Sequence, residues 1–518
     1  MPQSYGLNIL KMSNKIYTLS KLSEILKTER KNLKKIILCH GVFDLLHVGH
    51  IKHLEKAKKL GDKLVVTITA DKFVNKGPGR PVFNQSLRSE AIAAIEFVDY
   101  VVINDSQTAI NPIKFLKPNI YCKGKDYKNL KDDLTGEIKN EIKELKKNNG
   151  KIFFTEELTF SSSRLINRST DFYSSTQKKY LDKIRRKVDF KKVKKSIDSF
   201  KKLKILTIGE TIIDKYNFCE AIGKSGKEPI LVLKESNEEQ YFGGVLSIAR
   251  NLSNFSDNVT LLSMLGEKKS YLKEINKFLP KIIKKNFIFK KNSPTIVKKR
   301  YVDKVSGSKL FGIYSFNDEM ISKKNEQEFN KKLLNLIKKS DLVIVSDYGH
   351  GFISKKSAEI ICKNSKFLAI NAQVNAANIG YHTLRNYKNF DTLIINEKEI
   401  RHEMRDKNTK LISLMKKISK EKKIQNLIVT LGGSGSMLYN YKKDKIFYAD
   451  AYAKNIVDKI GAGDTMLSLI APCLNSKIDI EVSLLISSLA AAQSVENIGN
   501  KNSIKKVNIL KNLENILK

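Results

Sequence analysis

Short apolar runs rich in β-branched residues alternate with amphipathic helical stretches in two separate blocks of the chain, and no other feature restricts the fold as much. In the first block "KIILC" (35–39), "KLVVTITA" (63–70) and "DYVVI" (99–103) read as buried strands. Helices are expected between them at "HIKHLEKAKKLGD" (50–62) and "LRSEAIAAIEF" (87–97). Such alternation builds a parallel sheet covered on both faces. The pattern runs to "KIFFTEEL" (151–158). From about 170 to 203 it gives way to a polar, strongly basic stretch of helical periodicity, expected to be a helical linker. A strand at "ILTIGE" (205–210) opens a second alternating block that continues to the C-terminus. Two α/β domains are expected, which suits 518 residues, too many for one core.

Bulk properties narrow the class. Apolar residues make up 41% of the chain, which argues against disorder. No run of about 18 apolar residues occurs, so no membrane-spanning helix is expected. Met1 to Ser20 lacks the continuous apolar stretch of a signal peptide, so a cytoplasmic location is expected. Cys39, Cys122, Cys219, Cys362 and Cys473 form no CxxC pair and read as buried small hydrophobes rather than disulfide partners or zinc ligands. The 95 basic and 54 acidic residues leave a net charge of +41. Most of the excess is Lys spread through every segment, a pattern of solvation rather than of a nucleic-acid-binding patch. Such a field still attracts anionic substrates such as nucleotides and sugar phosphates.

Four of the seven histidines fall between His40 and His53, directly after the first expected strand. In "CHGVFDLLHVGH" (39–50), Gly41 permits a tight turn and the helix start offers unpaired N–H groups to an anion. His47 and His50, three apart, share one helical face and can hold phosphate oxygens whose charge grows in a transition state. A metal pair or two surface histidines would give the same spacing; the clustering favours a functional role.

"GVFDLLHVGH" resembles the HxGH signature of the cytidylyltransferase-like nucleotidyltransferases, and the likeness extends through most of 35–168. "GRPVFNQSLRSEAIAAIEFVDYVV" (79–102), "YCKGKDY" (121–127) and "SSSRLI" (161–166) stand where that family has its further elements. The resemblance implies a Rossmann-like domain over 30–168. It implies that His47 and His50 hold the triphosphate of CTP or ATP during in-line attack by a sugar phosphate, with Mg²⁺ accompanying the nucleotide. Gly41, Phe43 and Asp44 would shape the nucleotide pocket, and Lys123, Gly124 and Asp126 would approach base and ribose. Ser161, Ser162 and Ser163 would cap the β- and γ-phosphates, and Arg88 would be a further phosphate contact. Arg164 stands near the position where some members carry a Lys, keeping the charge but changing the geometry. Positioning and charge stabilisation can carry this chemistry without a covalent nucleophile.

The second block carries "VDKIGAGDTMLSLIA" (457–471), a glycine-rich turn directly before an apolar helix. Converging N–H groups and the helix dipole favour an anion there. Asp464, at the rim, can take a proton from a sugar hydroxyl during phosphoryl transfer, or can simply cap the helix. Its companions "GETIID" (209–214), "FGGVLSIARNL" (242–252), "VSDYGHG" (345–351), "IINEKE" (394–399) and "VTLGGSGSML" (429–438) appear in the order of the PfkB/ribokinase-type carbohydrate kinases, which this block resembles over 204–518. The resemblance implies an α/β/α sandwich with a small β lid. It makes Asp464 the catalytic base and Gly461, Ala462 and Gly463 the anion hole. It places Asn396, Thr430, Gly432, Gly433 and Gly435 at the ATP site, with Asn396 and Glu399 holding Mg²⁺ largely through water. Asp214, Gly243 and Gly244 would bind the sugar. Ser247 stands where an Asn is common, which leaves the sugar's identity open.

"GKSGKEPILVLKE" (223–235) resembles the lid strand of heptose-phosphate kinases. The whole chain is similar to bifunctional heptose kinase/nucleotidyltransferases that make activated heptose for lipopolysaccharide, in which the kinase usually comes first. The expectation is therefore a cytoplasmic bifunctional enzyme with small-molecule sugar phosphates and nucleotides as partners and no membrane or nucleic acid. A homodimer is implied by the families alone. Domains acting on unrelated substrates, or a regulatory protein with dead centres, are the rivals.

Overall fold

In this computed structural model the described residues are 14–77, 79–129, 133–155, 173–268, 270–374, 378 and 383–517. They form two compact units, Met1–Ser175 with Leu510–Lys518, and Thr176–Ile509. The first contains six strands, β1 (Ile16–Tyr17), β2 (Ile36–Gly41), β3 (Lys63–Thr69), β4 (Tyr100–Asn104), β5 (Ile120–Gly124) and β6 (Lys151–Thr155). They pair in the order β1-β4-β3-β2-β5-β6, every pair parallel. The continuous apolar run of β2 follows from burial on both faces: Ile36 and Leu38 enter one core, Ile37 and Cys39 the other. The helix Val48–Lys58 starts just beyond the carboxyl end of β2, where open α/β sheets bind ligands.

The second unit is built on β7 (Lys204–Lys224), β8 (Leu231–Gly244), β9 (Asn258–Lys268), β10 (Lys284–Pro294), β11 (Ile296–Asp303), β12 (Lys309–Ser315), β13 (Leu342–Asp347), β14 (Leu368–Ala372), β15 (Phe390–Asn396), β16 (Ile424–Thr430), β17 (Ser436–Asn440) and β18 (Lys445–Ala449). The main sheet runs β10-β9-β7-β13-β14-β15-β16-β17-β18, parallel as far as β16. Leu342 and Ile344 of β13 face one core and Val343 and Val345 the other. β7 is long because it serves two sheets. Its first residues pair with β9 and β13, and from Thr211 onward it pairs with β8 and β11. β12 adds to β11 and completes the β lid, with all seven of its residues exposed.

The stretch expected as a basic linker contains two helices, Ser175–Lys187 and Phe190–Ser199, whose apolar residues Leu181, Ile184, Val193 and Ile197 are buried. Tyr180 donates to the carbonyl of Glu481 at 2.7 Å, Gln177 to that of Ala451 at 2.8 Å, and Lys187 pairs with Asp479 at 2.6 Å. These helices are thus part of the second unit. Among the described residues no helix is long and apolar enough to cross a membrane. Cys39, Cys122, Cys219 and Cys473 are buried thiols and Cys362 is half-buried.

Candidate functional site

In the first unit the turn after β2 is built around Asp44, whose carboxylate is 2% exposed. It accepts from Arg80 at 2.9 Å and from the backbone N–H groups of Val82 and Phe83 at 2.7 and 3.2 Å. Asp44 therefore organises the loop instead of opening onto a pocket. Arg88, expected as a phosphate contact, is likewise spent internally. It donates to the carbonyls of Phe83 (2.9 Å), Val42 (2.5 Å) and Thr69 (2.8 Å) and to Asp71 (2.5 Å), and is itself 2% exposed. A guanidinium so committed braces the turn from beneath.

On this braced turn His47 is the N-cap of the helix Val48–Lys58, its Nδ1 accepting from Gly49 N at 3.1 Å. The rings of His47 and His50 stack with centroids 4.0 Å apart, and Phe43 meets His50 edge-on at 5.3 Å. Their neighbours are turned elsewhere: His40 Nδ1 lies 2.9 Å from Thr67 Oγ1, and His53 Nδ1 2.7 Å from Thr155 Oγ1. Burial, His47 and Lys76 push His50 down to about 3, and burial and Lys76 lower His47. Both imidazoles are neutral at pH 7, and an arriving polyanion favours their charged forms. On β5, Lys123 is 9% exposed, sits over the rings of Tyr121 and Tyr127, and lies 3.7 Å from Glu141. Gly124 follows at the strand end. The side chain of Asp126, and Ser161, Ser162, Ser163 and Arg164 entirely, lie outside the described residues.

In the second unit the helix Ala462–Asn475 begins at Gly461, with φ 82° and no side-chain cap. A Cβ at Gly461 would collide with the amide of Asn500 and would be strained by the left-handed backbone, so the turn needs glycine. Asp464 does not cap this helix. Its carboxylate, 4% exposed, accepts from the Tyr348 hydroxyl at 3.0 and 2.8 Å and lies 3.5 Å from Ser346 Oγ. Burial raises Asp464 to about 7; the Tyr348 hydrogen bond works against this and the charge of Asp214 adds to it. A carboxyl poised there suits proton transfer at neutral pH.

Asp214 is brought to the same cluster. Arg300 donates to it, and its carboxylate presses so closely on the backbone of Gly243 that no Cβ fits. Lys298, paired with Asp214 across the β7–β11 register, is 9% exposed and faces the charges of Asp214, Glu210 and Asp464. Lys298 and Arg300, two apart on one strand, both flank the Tyr314 ring. Glu210 accepts from the N–H groups of Tyr348 and His350 and so fixes the loop that carries Tyr348; burial and Asp347 push its carboxyl up. Ser247 turns its hydroxyl onto the Gly244 carbonyl at 3.0 Å.

Asn396 and Thr430 are register partners at the carboxyl ends of β15 and β16, beside the turn that carries Gly432, Gly433 and Gly435. Asn396 and Glu399 form a reciprocal cap: Asn396 accepts from Glu399 N at 2.9 Å and Glu399 from Asn396 N at 2.8 Å. The donor set is one carboxylate and one amide, with no cluster of three metal-binding side chains among the described residues. That fits a Mg²⁺ carried in by a nucleotide with its own water and phosphate ligands, not a protein-caged ion. The motifs pointed to Asp464, Asp214 and the glycine turns; Lys298 and Arg300 emerge only from the fold, as do the roles of Tyr348 and Ser346 within "VSDYGHG".

Comparison with known proteins finds two families along the chain. Residues 38–199 match the Cytidylyltransferase-like family and 202–507 the pfkB family carbohydrate kinases. "Bifunctional protein HldE" of Campylobacter fetus subsp. fetus is 50% identical over 108 residues, 20% of this chain and 23% of that protein. The protein of the same name from Syntrophotalea carbinolica is 41% identical over 120 residues, 23% and 24% of the two chains. The matched stretches thus span about a quarter of those relatives. The crystal structure of phosphofructokinase-2 from Escherichia coli in complex with potassium covers 61% of this chain and 100% of its own, with 13% identity and a TM-score of 0.50, a likeness of fold alone. With its larger unit matched over 202–507, the chain belongs to the pfkB family of carbohydrate kinases and carries a cytidylyltransferase-like domain ahead of the kinase domain.

Proposed function

We propose that the chain is a cytoplasmic bifunctional enzyme of nucleotide-activated sugar synthesis. The kinase domain transfers the γ-phosphoryl of ATP to a heptose-like sugar phosphate, and the other domain joins the sugar 1-phosphate to a nucleotide from ATP or CTP with release of pyrophosphate. The observation that carries this reading is the buried Asp464 carboxyl, held by Tyr348 at the start of a glycine-fronted helix, with Asp214, Lys298 and Arg300 beside it. Asp464 takes the acceptor hydroxyl's proton as that oxygen attacks the γ-phosphorus and ADP leaves. Gly461, Ala462 and Gly463 receive the phosphoryl oxygens, and Asp214, Gly243 and Gly244 orient the sugar. Lys298 and Arg300, both beside the sugar-orienting Asp214, offer cationic donors that favour an acceptor already carrying negative charge.

Asn396 and Glu399 would hold, through water, a Mg²⁺ arriving with ATP, which would neutralise phosphate charge, and Thr430, Gly432, Gly433 and Gly435 would line the nucleotide. In the transferase His47 and His50 hold the triphosphate, backed by Gly41, Phe43 and Asp44, with Lys123, Gly124 and Asp126 toward base and ribose and Ser161, Ser162 and Ser163 on the phosphates. A homodimer acting on small molecules is part of this reading.

The test screens pyrophosphate release from ATP and CTP against sugar 1-phosphates, alongside ADP formation with a heptose phosphate. His50→Ala is expected to abolish the first and spare the second, and Asp464→Asn to do the reverse. Equal loss of both in a folded variant would defeat the assignment.

A further inference from the structure

One buried carboxylate outside the reacting cluster ties the β lid to the anion-hole turn. Asp458, three residues before Gly461, is 4% exposed. Its Oδ1 accepts from Lys309 Nζ at 2.6 Å and from Ile460 N at 3.2 Å; its Oδ2 accepts from the Tyr216 hydroxyl at 2.5 Å and from Gly499 N at 3.1 Å. Four segments meet on this group. Tyr216 belongs to the outer half of β7 and Lys309 opens β12, both in the lid. Ile460 directly precedes Gly461, and Gly499 precedes Asn500, whose amide lies against Gly461 and within 3.7 Å of a Cβ position on Gly243. The carboxylate therefore reaches both glycine elements of the kinase site through one or two residues.

Lys309 is the contributor that burial does not explain. Every residue of β12 is exposed, with Phe311 stacked on Tyr301 at 4.6 Å between ring centroids, and the Lys309 side chain is 41% exposed. Its ammonium also lies 5.9 Å from the centroid of the Tyr216 ring. Burial raises Asp458, but Lys309, Tyr216 and the two N–H groups outweigh it and hold the carboxyl below its ordinary value. The group is thus a fixed anion that needs its cation: removing Lys309 leaves a nearly buried charge answered only by dipoles.

We infer that Lys309 is a positioning residue for phosphoryl transfer, reaching from the lid to Asp458 and thereby holding the turn from Asp458 to Gly461 in the shape that receives the phosphoryl group. The inference rests on the reading of Gly461–Gly463 as the anion hole. Lid and anion hole then share one equilibrium, and the ammonium acts on the transition state rather than on ATP in the ground state.

Lys309→Met and Lys309→Arg in the full chain, with ATP and a heptose phosphate as substrates, test it. Lys309→Met is expected to lower kcat about 10- to 100-fold, the cost typical of a slightly displaced catalytic group, with KM for ATP changed by less than about three-fold. Lys309→Arg, which keeps the charge and has room at an exposed position, is expected to recover most of the rate. Tyr216→Phe, which removes a second donor from the same carboxylate, is expected to fall in between and serves if Lys309→Met does not fold. A parental kcat in Lys309→Met, a loss confined to KM, or a melting-temperature loss with unchanged kcat overturns the inference. Absence of turnover in the parent chain overturns the kinase reading, and this inference with it.

Discussion

Tyr348 is the residue whose role the structure defines most sharply. Its hydroxyl donates to both oxygens of Asp464 and so favours the ionised carboxyl, while burial raises that group to about 7. Because the base works deprotonated, kinase kcat is expected to rise with pH through about 7 and then level off. In Tyr348→Phe the lost hydrogen bond raises the carboxyl further, so the acid limb moves to higher pH. The rate falls at neutral pH and recovers in alkaline buffer. A pH–rate profile of both proteins decides it; superimposable limbs would detach Tyr348 from the base. Asp464 was legible in the sequence as a carboxylate directly after a glycine turn, and its companion motifs singled out the base from the helix cap. Tyr348 lies in the quoted "VSDYGHG" but its partner is 116 positions away, a distance no spacing rule spans. Lys298 and Arg300 were hidden differently: in a chain with 95 basic residues, two more on a short strand carry no signal until register sets them beside Asp214.

At the scale of elements, the sequence located β2, β3, β4 and β6 and the opening of β7 by their apolar runs, since two-sided burial demands them. It stopped β7 at Glu210, where that run meets a mixed stretch, whereas the strand continues to Lys224 by leaving the main sheet for the lid. Pairing partners, not composition, set that length. The start of the helix Glu397–Met404 shows how one pair of side chains can serve two ends. Asn396 and Glu399 cap each other's amides, a structural role complete in itself, yet they stand next to Thr430 at the carboxyl edge of the sheet. Glu399→Gln separates the roles, because Gln also closes a capping box while losing the charge. The melting temperature is expected to change little, and the Mg²⁺ concentration for half-maximal kinase activity to rise several-fold. A magnesium titration that leaves this midpoint unmoved would reduce Glu399 to a cap.

For the whole molecule, neighbours in sequence are not always neighbours in space. The alternation pattern divides the chain near 168 and 204, whereas contacts group Leu510–Lys518 with Met1–Ser175 and leave Thr176–Ile509 as the other unit. Nothing local announces this, because an amphipathic helix reveals which face is buried but not what buries it. Within that final segment Leu510, Leu513 and Ile516 are 4%, 0% and 1% exposed. Burial lowers Lys511, opposed by the charge of Asp133. Ending the chain after Ile509 removes these three apolar side chains, each worth about 1.5–3 kcal/mol when buried. The sum is comparable to the roughly 5–15 kcal/mol that holds a typical domain together. The truncated protein is expected to lose pyrophosphate release and the cooperative melting of its first unit. ADP formation by the intact Thr176–Ile509 unit should persist. Calorimetry run beside the two assays distinguishes the outcomes. Undiminished pyrophosphate release would make the segment dispensable to the transferase, and parallel loss of both activities would mean that the second unit depends on it as well.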